Sequence, residues 1–386
     1  MAFTRRGFVR RLGHVAAGTL SGTVLAARGL EDLSAAHAAG QDRPEIPPGM
    51  VRLGSNESPY GPGPHVVAAV ERALRDDGNR YTRLPMVLNA RLASMLDVPV
   101  GSVLLSAGSG DLLRAAVLAY VHADRPLVAA TPTFEAPIRT AESLRLPLRL
   151  VPLTATLSND LPRMTEQARG AGLLYICNPD NPTGTCHPRA AIVSMIETLA
   201  SMSPDTVVLI DEAYIDCVDD ASYGTVVGMA VARRNLVVVR TFSKIHGLAG
   251  MRIGYAVAHP DTLERLRPCT GTGVVACASA AAAMASMEDT AYFQRQQALN
   301  REARTRLAKA LTEMGYPPVP SQTNFVMVDV RRDVRDFGAA CRERGVLVGR
   351  PFPPLETQAR ISFGTPDEMT HAIEVFRQVL RPSSAP

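Results

Sequence analysis

The chain has 386 residues, of which 46% are hydrophobic and 20% are charged, and its formal net charge is +4. This composition excludes a disordered chain, a polytopic membrane protein and a small disulfide scaffold, and the length predicts two packed subdomains. Much of the positive charge lies in residues 1–38, so the nearly neutral remainder argues against a nucleic-acid or anionic-membrane partner. Only Lys244 and Lys309 are lysines, so chemistry that needs a primary amine has two candidates.

The N-terminus has the pattern of an export signal. Residues 4–10 read T-R-R-G-F-V-R, residues 12–27 are mildly apolar and contain glycine, and residues 36–38 read A-H-A. This order resembles a twin-arginine signal peptide over residues 1–38 with an A-x-A cleavage site. We therefore expect a mature chain that begins near Ala39, in the periplasm or outside the cell, after passage through the twin-arginine machinery. An uncleaved signal that anchors the chain to the inner membrane and a simple basic arm are the alternatives.

The six cysteines give little information about function. They form no C-x-x-C pair and have no adjacent histidine pattern, so their spacing predicts no zinc site, and no metal is expected. A disulfide is permitted outside the cytoplasm, but the spacing does not require one.

Apolar runs alternate with amphipathic stretches after a lead-in rich in proline and glycine (residues 43–64) and a helical pattern over His65–Arg75. The runs are nearly continuous, as in strands of a parallel sheet covered by helices on both faces. Their spacing of roughly 30 residues is typical of βαβ units. We expect strands at Val103–Leu105, Leu127–Ala130, Leu173–Cys177, Thr206–Ile210, Leu236–Arg240 and Ile253–Ala258.

The C-terminal part of the chain has a different pattern. A long alanine-rich helical stretch leads from Ser279 towards Gly315, and shorter strands are expected at Phe325–Val330, Val346–Val348 and Arg360–Phe363. This pattern predicts a smaller α+β domain. We therefore divide the chain into an N-terminal segment over residues 39–75, a large domain over 76–290 and a small domain over 291–386.

Polar residues follow three strands of the large domain where each strand ends. Asn181 lies shortly after one strand, Asp211 directly after the next, and Lys244 shortly after a third. Because the carboxyl ends of parallel strands line the ligand crevice of an open sheet, these side chains should converge there.

The residue types at these strand ends suit one cofactor. A desolvated lysine such as Lys244 can lose its proton and form an imine with an aldehyde. An aspartate such as Asp211 can hold a pyridine nitrogen protonated, so that the ring withdraws electrons. Asn181 and Tyr214 can donate to a phenolate oxygen beside the imine. These are the requirements of pyridoxal 5′-phosphate.

A phosphate group needs donors of its own. Residues 106–111 read S-A-G-S-G-D and lie between the first strand and the following helix, where glycines let backbone N–H groups approach an anion. Ser243 and Arg252 can supply a hydroxyl and a guanidinium to the same dianion.

The motifs together resemble the fold-type I pyridoxal-phosphate enzymes of the class I/II aminotransferases, and most of all the histidinol-phosphate aminotransferase branch. The resemblance covers nearly the whole chain after the signal. It implies an α/β fold with a large domain, built on a mostly parallel seven-stranded sheet, and a smaller α+β C-terminal domain. The matching stretches lie at residues 53–62, 79–81, 107–109, 131–134, 178–184, 211–214, 241–254, 323–325 and 360–364.

The same resemblance implies roles for single residues. Lys244 would form the imine and carry the proton, Asp211 would pair with the pyridinium, and Asn181 and Tyr214 would bind the phenolate oxygen. Phe134 would stack on the ring where relatives often have tyrosine. The phosphate would be held by Ser109, Gly110, Ser243 and Arg252, with Tyr81 reaching in from the second subunit of a homodimer.

Substrate contacts are implied at three positions. Arg360 lies where relatives bind the α-carboxylate or the corresponding phosphate, and Asn56 on the lead-in segment is a further candidate. Arg350 is less secure, because Gly349 stands where many histidinol-phosphate enzymes have arginine.

The reaction expected is transfer of an amino group from an L-amino acid or related amine, histidinol-phosphate-like, to a 2-oxo acid such as 2-oxoglutarate. The alternatives are a decarboxylase or oxidase of a specialised amino acid on the same cofactor, and an exported binding protein without turnover. Because histidine biosynthesis is cytoplasmic, an exported relative is expected to use a substrate other than histidinol phosphate.

Overall fold

A computed structural model describes Pro47, residues 49–271 and residues 274–381. The export signal expected in residues 1–38 lies outside the described residues. Across the described ranges, no helix combines the length and the apolar character that crossing a membrane requires.

Strands and helices alternate along most of the described chain. The strands are β1 (Val51–Leu53), β2 (Val103–Ser106), β3 (Leu127–Thr131), β4 (Leu148–Pro152), β5 (Leu173–Cys177), β6 (Val207–Asp211), β7 (Leu236–Thr241), β8 (Gly254–Val257), β9 (Phe325–Asp329), β10 (Val346–Val348) and β11 (Gln358–Ser362). The helices are α1 (Pro64–Asp77), α2 (Leu84–Met95), α3 (Ser109–Tyr120), α4 (Ala136–Ser143), α5 (Leu161–Gln167), α6 (Arg189–Met202), α7 (Val227–Ala230), α8 (Pro260–Leu266), α9 (Cys277–Glu288), α10 (Thr290–Glu313), α11 (Val334–Arg342) and α12 (Pro366–Val379).

The large sheet has seven strands in the order β2-β8-β7-β6-β5-β3-β4. Only β8 runs antiparallel to its neighbours, β2 and β7, so the expected mostly parallel seven-stranded sheet is confirmed. Both faces are buried. In β5, Leu174 and Ile176 pack into one apolar core, while Leu173, Tyr175 and Cys177 pack into the core on the other face. This burial explains the continuous apolar runs.

The sequence analysis missed the edge strand β4. Of its five residues only Val151 is buried, and Arg149 and Leu150 are exposed. An edge strand that faces solvent needs no continuous apolar run, so the pattern that identified the inner strands is absent.

A second core lies in the C-terminal part. Antiparallel β9 and β11 pair there, and β1 pairs in parallel with β10. Leu53 of β1 is fully buried in this core together with Phe337 and Phe376. In contrast, Val66 of α1 packs into the core of the large sheet. The N-terminal segment over residues 39–75 therefore contributes to two cores, a division that no local pattern in the sequence predicts.

The alanine-rich stretch forms two helices, α9 and α10, rather than one. The break is at Asp289, whose side chain accepts a hydrogen bond from the backbone nitrogen of Tyr292 at 2.8 Å and caps α10. An aspartate competes well for this capping position, which ends one helix and begins the next.

The cysteines, all within the described ranges, are free thiols. In this part of the chain no group of three or more histidine, cysteine, aspartate or glutamate side chains is arranged to hold a metal ion. The described fold is therefore stabilised by its apolar cores rather than by cross-links between cysteines.

Candidate active site

A cavity of ≈390 Å³ opens at the carboxyl ends of β5, β6 and β7. Nine residues predicted to bind the cofactor line it together, although they come from six segments of the chain. They are Ser109, Gly110, Phe134, Asn181, Asp211, Tyr214, Ser243, Lys244 and Arg252. The convergence follows from parallel strand order, which brings the ends of successive strands to one edge.

Asp211 lies at the floor of this cavity, where β6 ends. Its two carboxylate oxygens accept hydrogen bonds from the Tyr175 hydroxyl and from the backbone nitrogen of Ala213, both at 3.1 Å. Burial raises the pKa of Asp211 to about 6, and these hydrogen bonds and the positive charge of Lys244 oppose that rise. Above that pH the cavity floor therefore carries a negative charge.

Lys244 lies in the loop after β7 and is partly buried. Its Nζ donates to the backbone oxygen of Asn56 at 3.2 Å and lies 5.3 Å from the centroid of the Tyr214 ring. Burial lowers the pKa of Lys244 to about 8, the charge of Arg360 lowers it further, and Asp211 opposes the shift. The amine thus loses its proton far more readily than an exposed lysine.

The part of the cavity lining formed by the start of α3 and Arg252 is suited to an anion. Helix α3 begins at Ser109, and its N-cap residue, Gly108, has a φ of +86°. A Cβ at Gly108 would lie 2.5 Å from Nη2 of Arg252, so only glycine allows the guanidinium to approach the helix terminus this closely. The first backbone N–H groups of a helix attract anions, and an adjacent guanidinium reinforces that attraction.

The lining of the cavity fits pyridoxal phosphate. The buried Asp211 carboxylate suits a protonated ring nitrogen, and the N–H donors with Arg252 suit a phosphate. Lys244 lines the same cavity with a pKa suited to reaction with an aldehyde. Phe134 lines the same space, where its ring can cover one face of the cofactor.

A second cavity of ≈350 Å³ adjoins the first and shares Phe134, Asn181, Tyr214 and Lys244 with it. Arg360 of β11 lines this cavity and is 8% exposed. A molecule in the second cavity would therefore lie beside both Lys244 and a buried guanidinium.

Arg360 has only neutral partners among the described residues. Its Nη1 donates to Asn181 Oδ1 at 2.7 Å and its Nη2 to the backbone oxygen of Gly54 at 2.9 Å, while Nε is buried without a partner. Burial lowers the pKa of Arg360 to about 10, so the group stays charged at neutral pH. A buried cation without a carboxylate partner is costly, and an anionic substrate group would offset that cost.

Arg350 also lines the second cavity but is partly exposed. Its guanidinium lies over the ring of Phe352, 4.3 Å from the centroid, and pairs with Glu135 at 2.8 Å. The predicted contact of Arg350 with substrate is thus possible from the cavity wall, but Glu135 already engages this residue.

Asn56 lies in the lead-in segment and forms hydrogen bonds to several residues of the site. Its Nδ2 donates to the Tyr214 hydroxyl at 3.0 Å, its Oδ1 accepts from Ser362 Oγ at 2.9 Å, and its backbone oxygen accepts from Asn324 Nδ2 at 2.9 Å and from Lys244. It also lines the second cavity. Asn56 therefore positions Tyr214 and Lys244 as well as facing the substrate space.

Tyr81 is the one predicted cofactor residue that the single chain does not bring to the site. It lies between α1 and α2, is fully exposed, and lines neither cavity. Its predicted role depends on a second subunit.

The sequence analysis missed Tyr175, which binds Asp211 from inside an apolar strand. A signal existed, because Tyr175 lies two residues before Cys177 in β5 and so projects from the same face as Cys177, the register partner of Asp211. Glu135 and Phe352 were also missed, and they stand in loops whose place against the cavity no local pattern predicts.

Comparison with known proteins identifies consistent relatives. The sequence model described as Aminotransferase class I and II matches residues 48–376. A histidinol-phosphate aminotransferase of Symbiobacterium thermophilum is 34% identical, covering 86% of this chain and 91% of that protein. The crystal structure of histidinol-phosphate aminotransferase from Sinorhizobium meliloti in complex with pyridoxal-5′-phosphate is similar with a TM-score of 0.78 and 28% identity, covering 86% of this chain and 91% of that one.

Proposed function

The chain belongs to the aminotransferase class I and II family and is a pyridoxal-phosphate-dependent aminotransferase. We propose that it moves an amino group from an L-amino acid or related amine to a 2-oxo acid such as 2-oxoglutarate. The observation that carries the proposal is the meeting of Lys244, Asp211 and Arg360 at two adjoining cavities. An activated amine, a carboxylate and a buried guanidinium are what transamination of a carboxylate substrate needs.

Pyridoxal phosphate, when bound, supplies an aldehyde and a ring that withdraws electrons from the substrate's Cα. Lys244 would hold it through Nζ, Asp211 would keep its ring nitrogen protonated, and Asn181 and Tyr214 would face its phenolate oxygen. Ser109, Gly110, Ser243 and Arg252 would hold its phosphate, and Phe134 would cover its ring. Each assignment is supported by the lining of the first cavity.

Proton transfer falls to Lys244. Because its pKa lies near 8, Nζ is partly neutral at slightly alkaline pH and can take up the proton that leaves the donor's Cα. Arg360 would bind the substrate carboxylate through its guanidinium and so fix which bond at Cα faces Lys244.

Arg360 also favours transamination over decarboxylation. A guanidinium that holds the carboxylate in place would direct a different bond at Cα towards Lys244, so that the carboxylate is retained. An oxidase on the same cofactor would release hydrogen peroxide, and a binding protein would show no turnover. The presence of Lys244 and Asp211 at one cavity argues against a binding protein.

The experiment is a screen of amino donors against 2-oxoglutarate and pyruvate with the purified protein. The readouts are the change in the visible spectrum of the cofactor and the identity of the products. We expect a 2-oxo acid from the donor and an amino acid from the acceptor. Release of carbon dioxide or hydrogen peroxide in their place would contradict the proposal.

A homodimer with shared active sites is supported by exposed apolar side chains near Tyr81. They cover α1, α2 and the segment between them, where a monomer would leave them in water. They are Val67, Leu74, Tyr81, Met86, Val87 and Met95. A second copy of the chain would cover this surface and bring Tyr81 to the partner's phosphate end.

Mixing two inactive variants tests the shared site. Tyr81→Ala and Lys244→Ala each spoil every site of their own dimer, but a hybrid dimer keeps one site with both residues intact. We expect subunit exchange to restore roughly a quarter of wild-type activity, since half of the dimers are hybrids with one intact site each. No recovery, in mixtures where hybrids are demonstrated by mass, would argue that Tyr81 acts within its own subunit or not at all.

Export by the twin-arginine route is supported by the sequence of residues 1–38. We place the mature enzyme in the periplasm or outside the cell, where a donor other than histidinol phosphate is expected. Cell fractionation with N-terminal sequencing checks the location. Cytoplasmic protein that retains Met1, or activity confined to histidinol phosphate, would contradict it.

A further inference from the structure

The outer wall of the second cavity holds a carboxylate between two guanidinium groups. Glu135 follows Phe134 directly, Arg139 lies one turn later in α4, and Arg350 comes from the loop after β10. One oxygen of Glu135 pairs with Arg350 Nη2 at 2.8 Å and the other with Arg139 Nη2 at 2.5 Å. Glu135 therefore engages both arginines at once.

These three side chains lie away from the reacting end of the site. Glu135, Arg139 and Arg350 line the second cavity only, whereas Lys244 and Tyr214 line both cavities. The Glu135 side chain is 28% exposed, compared with 48% for Arg350 and 69% for Arg139. The carboxylate is thus the most enclosed of the three charges and faces any group that enters between the arginines.

The charge of this wall decides which second acidic group it can match. Arg139 and Arg350 each contribute +1 and Glu135 contributes −1, so the three leave a net +1. A substrate carboxylate carries −1 and balances this charge. A phosphate monoester carries close to −2 above its second pKa of about 6, so its second charge meets only Glu135.

We propose that Glu135 is a specificity-determining residue in a second anion subsite, formed by Glu135, Arg139 and Arg350. Glu135 leaves this subsite with a single net positive charge, so the enzyme favours substrates whose second acidic group is a carboxylate over those whose second acidic group is a phosphate. The inference rests on the proposed aminotransferase function. It assigns Arg360 to the first carboxylate and the wall of Arg139 and Arg350 to the second.

The charges of the wall act on the rest of the substrate site. The pKa of Arg360, which burial lowers most, is lowered further by Arg350 and raised by Glu135. Both guanidiniums also lie over the ring of Phe352, at 4.3 Å for Arg350 and 4.7 Å for Arg360. Without Glu135, Arg350 and Arg360 would lose their nearby negative charge. A substrate anion with two negative charges would then bind better than it does in the wild type.

The test compares two donors on the Glu135→Gln holoenzyme that share a carbon chain and differ in the terminal acidic group. L-Glutamate and its phosphonate analogue, L-2-amino-4-phosphonobutyrate, are assayed at about pH 8, where a second phosphate-type acid group is mostly ionised. We expect the ratio of kcat/KM, phosphonate over glutamate, to rise roughly tenfold relative to wild type, as one added unit of charge near the anion implies. Glu135→Asp keeps the charge and should leave the ratio near the wild-type value.

A matched control removes the same charge elsewhere on α4. Glu142 is exposed on this helix and does not line the cavity, so Glu142→Gln should leave the ratio unchanged. An unchanged ratio in Glu135→Gln, or an equal rise in Glu142→Gln, would overturn the inference.

A binding measurement separates this inference from the proposed function. Inorganic phosphate is titrated into the holoenzyme and followed by phosphorus-31 NMR, with tighter binding to Glu135→Gln than to wild type or Glu142→Gln as the expected result. If no donor is turned over at all, the proposed function fails, and the phosphate titration still decides the role of Glu135. Equal phosphate affinity in all three proteins would overturn that role even in an active enzyme.

Discussion

Lys244→Ala is expected to lower transamination roughly 10⁴-fold or more, because it removes the amine that we propose holds the cofactor and moves the proton. The visible absorbance of the bound cofactor should be lost with it. Spectra of the purified variant and rates with the best wild-type donor measure both effects. The cavity itself should persist, since the one hydrogen bond that the Lys244 side chain makes within the described part of the chain is to the backbone oxygen of Asn56.

Lys309→Ala is the matched control, because it removes the other lysine of the chain. Lys309 lies on α10 and is exposed, with Glu313 as its ion-pair partner at 3.9 Å. Exposed pairs of this kind contribute little to stability, so this variant should keep the absorbance and the activity of the wild type. Full turnover and an unchanged visible band in Lys244→Ala would refute the assignment of Lys244.

Asp211→Asn is expected to lower kcat/KM by roughly 10²–10³-fold while the cofactor still binds, because it removes a preorganised charge but keeps the shape of the side chain. The loss should appear mainly in kcat, since the charge acts on the ring and not on the substrate carboxylate. Steady-state kinetics and titration of the variant with pyridoxal phosphate separate the two effects. Wild-type kcat with a neutral residue at this position would contradict the role of Asp211.

Tyr175→Phe tests the same carboxylate by changing its pKa and not its charge at high pH. The Tyr175 hydroxyl donates to Asp211 and lowers the pKa of that carboxyl, so its removal should raise the pKa of Asp211 above its value of about 6. The acidic limb of the activity profile should therefore move to higher pH, with the rate near pH 8 little changed. If the acidic side of the pH–activity profile does not move, ionisation of Asp211 does not determine it.

The inner strands were predictable because they are buried on both faces. The runs that form β5, β6 and β7 are continuous and apolar, and their observed bounds differ from the expected ones by at most one residue at each end. The edge strand β4 lacks this signal, since Arg149 and Leu150 face solvent. The placement of β1 against β10 was not predictable either, because a three-residue strand pairs with a partner nearly 300 residues away.

The residues of the site that could be predicted are those that come shortly after the end of a strand. Asn181, Asp211 and Lys244 were found by that rule, and they line one cavity. The partners of Arg360 were not found, because Asn181 and Gly54 lie 179 and 306 residues from it along the chain. Such contacts depend on how the two cores meet, and the local pattern of apolar and polar residues carries no information about that packing.

Reduction of the holoenzyme with borohydride, followed by peptide mass spectrometry, identifies the amine that bears the cofactor. The account predicts a pyridoxyl phosphate mass on the peptide that contains Lys244 and none on the peptide that contains Lys309. Modification at Lys309, or a protein that takes up no pyridoxal phosphate, would contradict it.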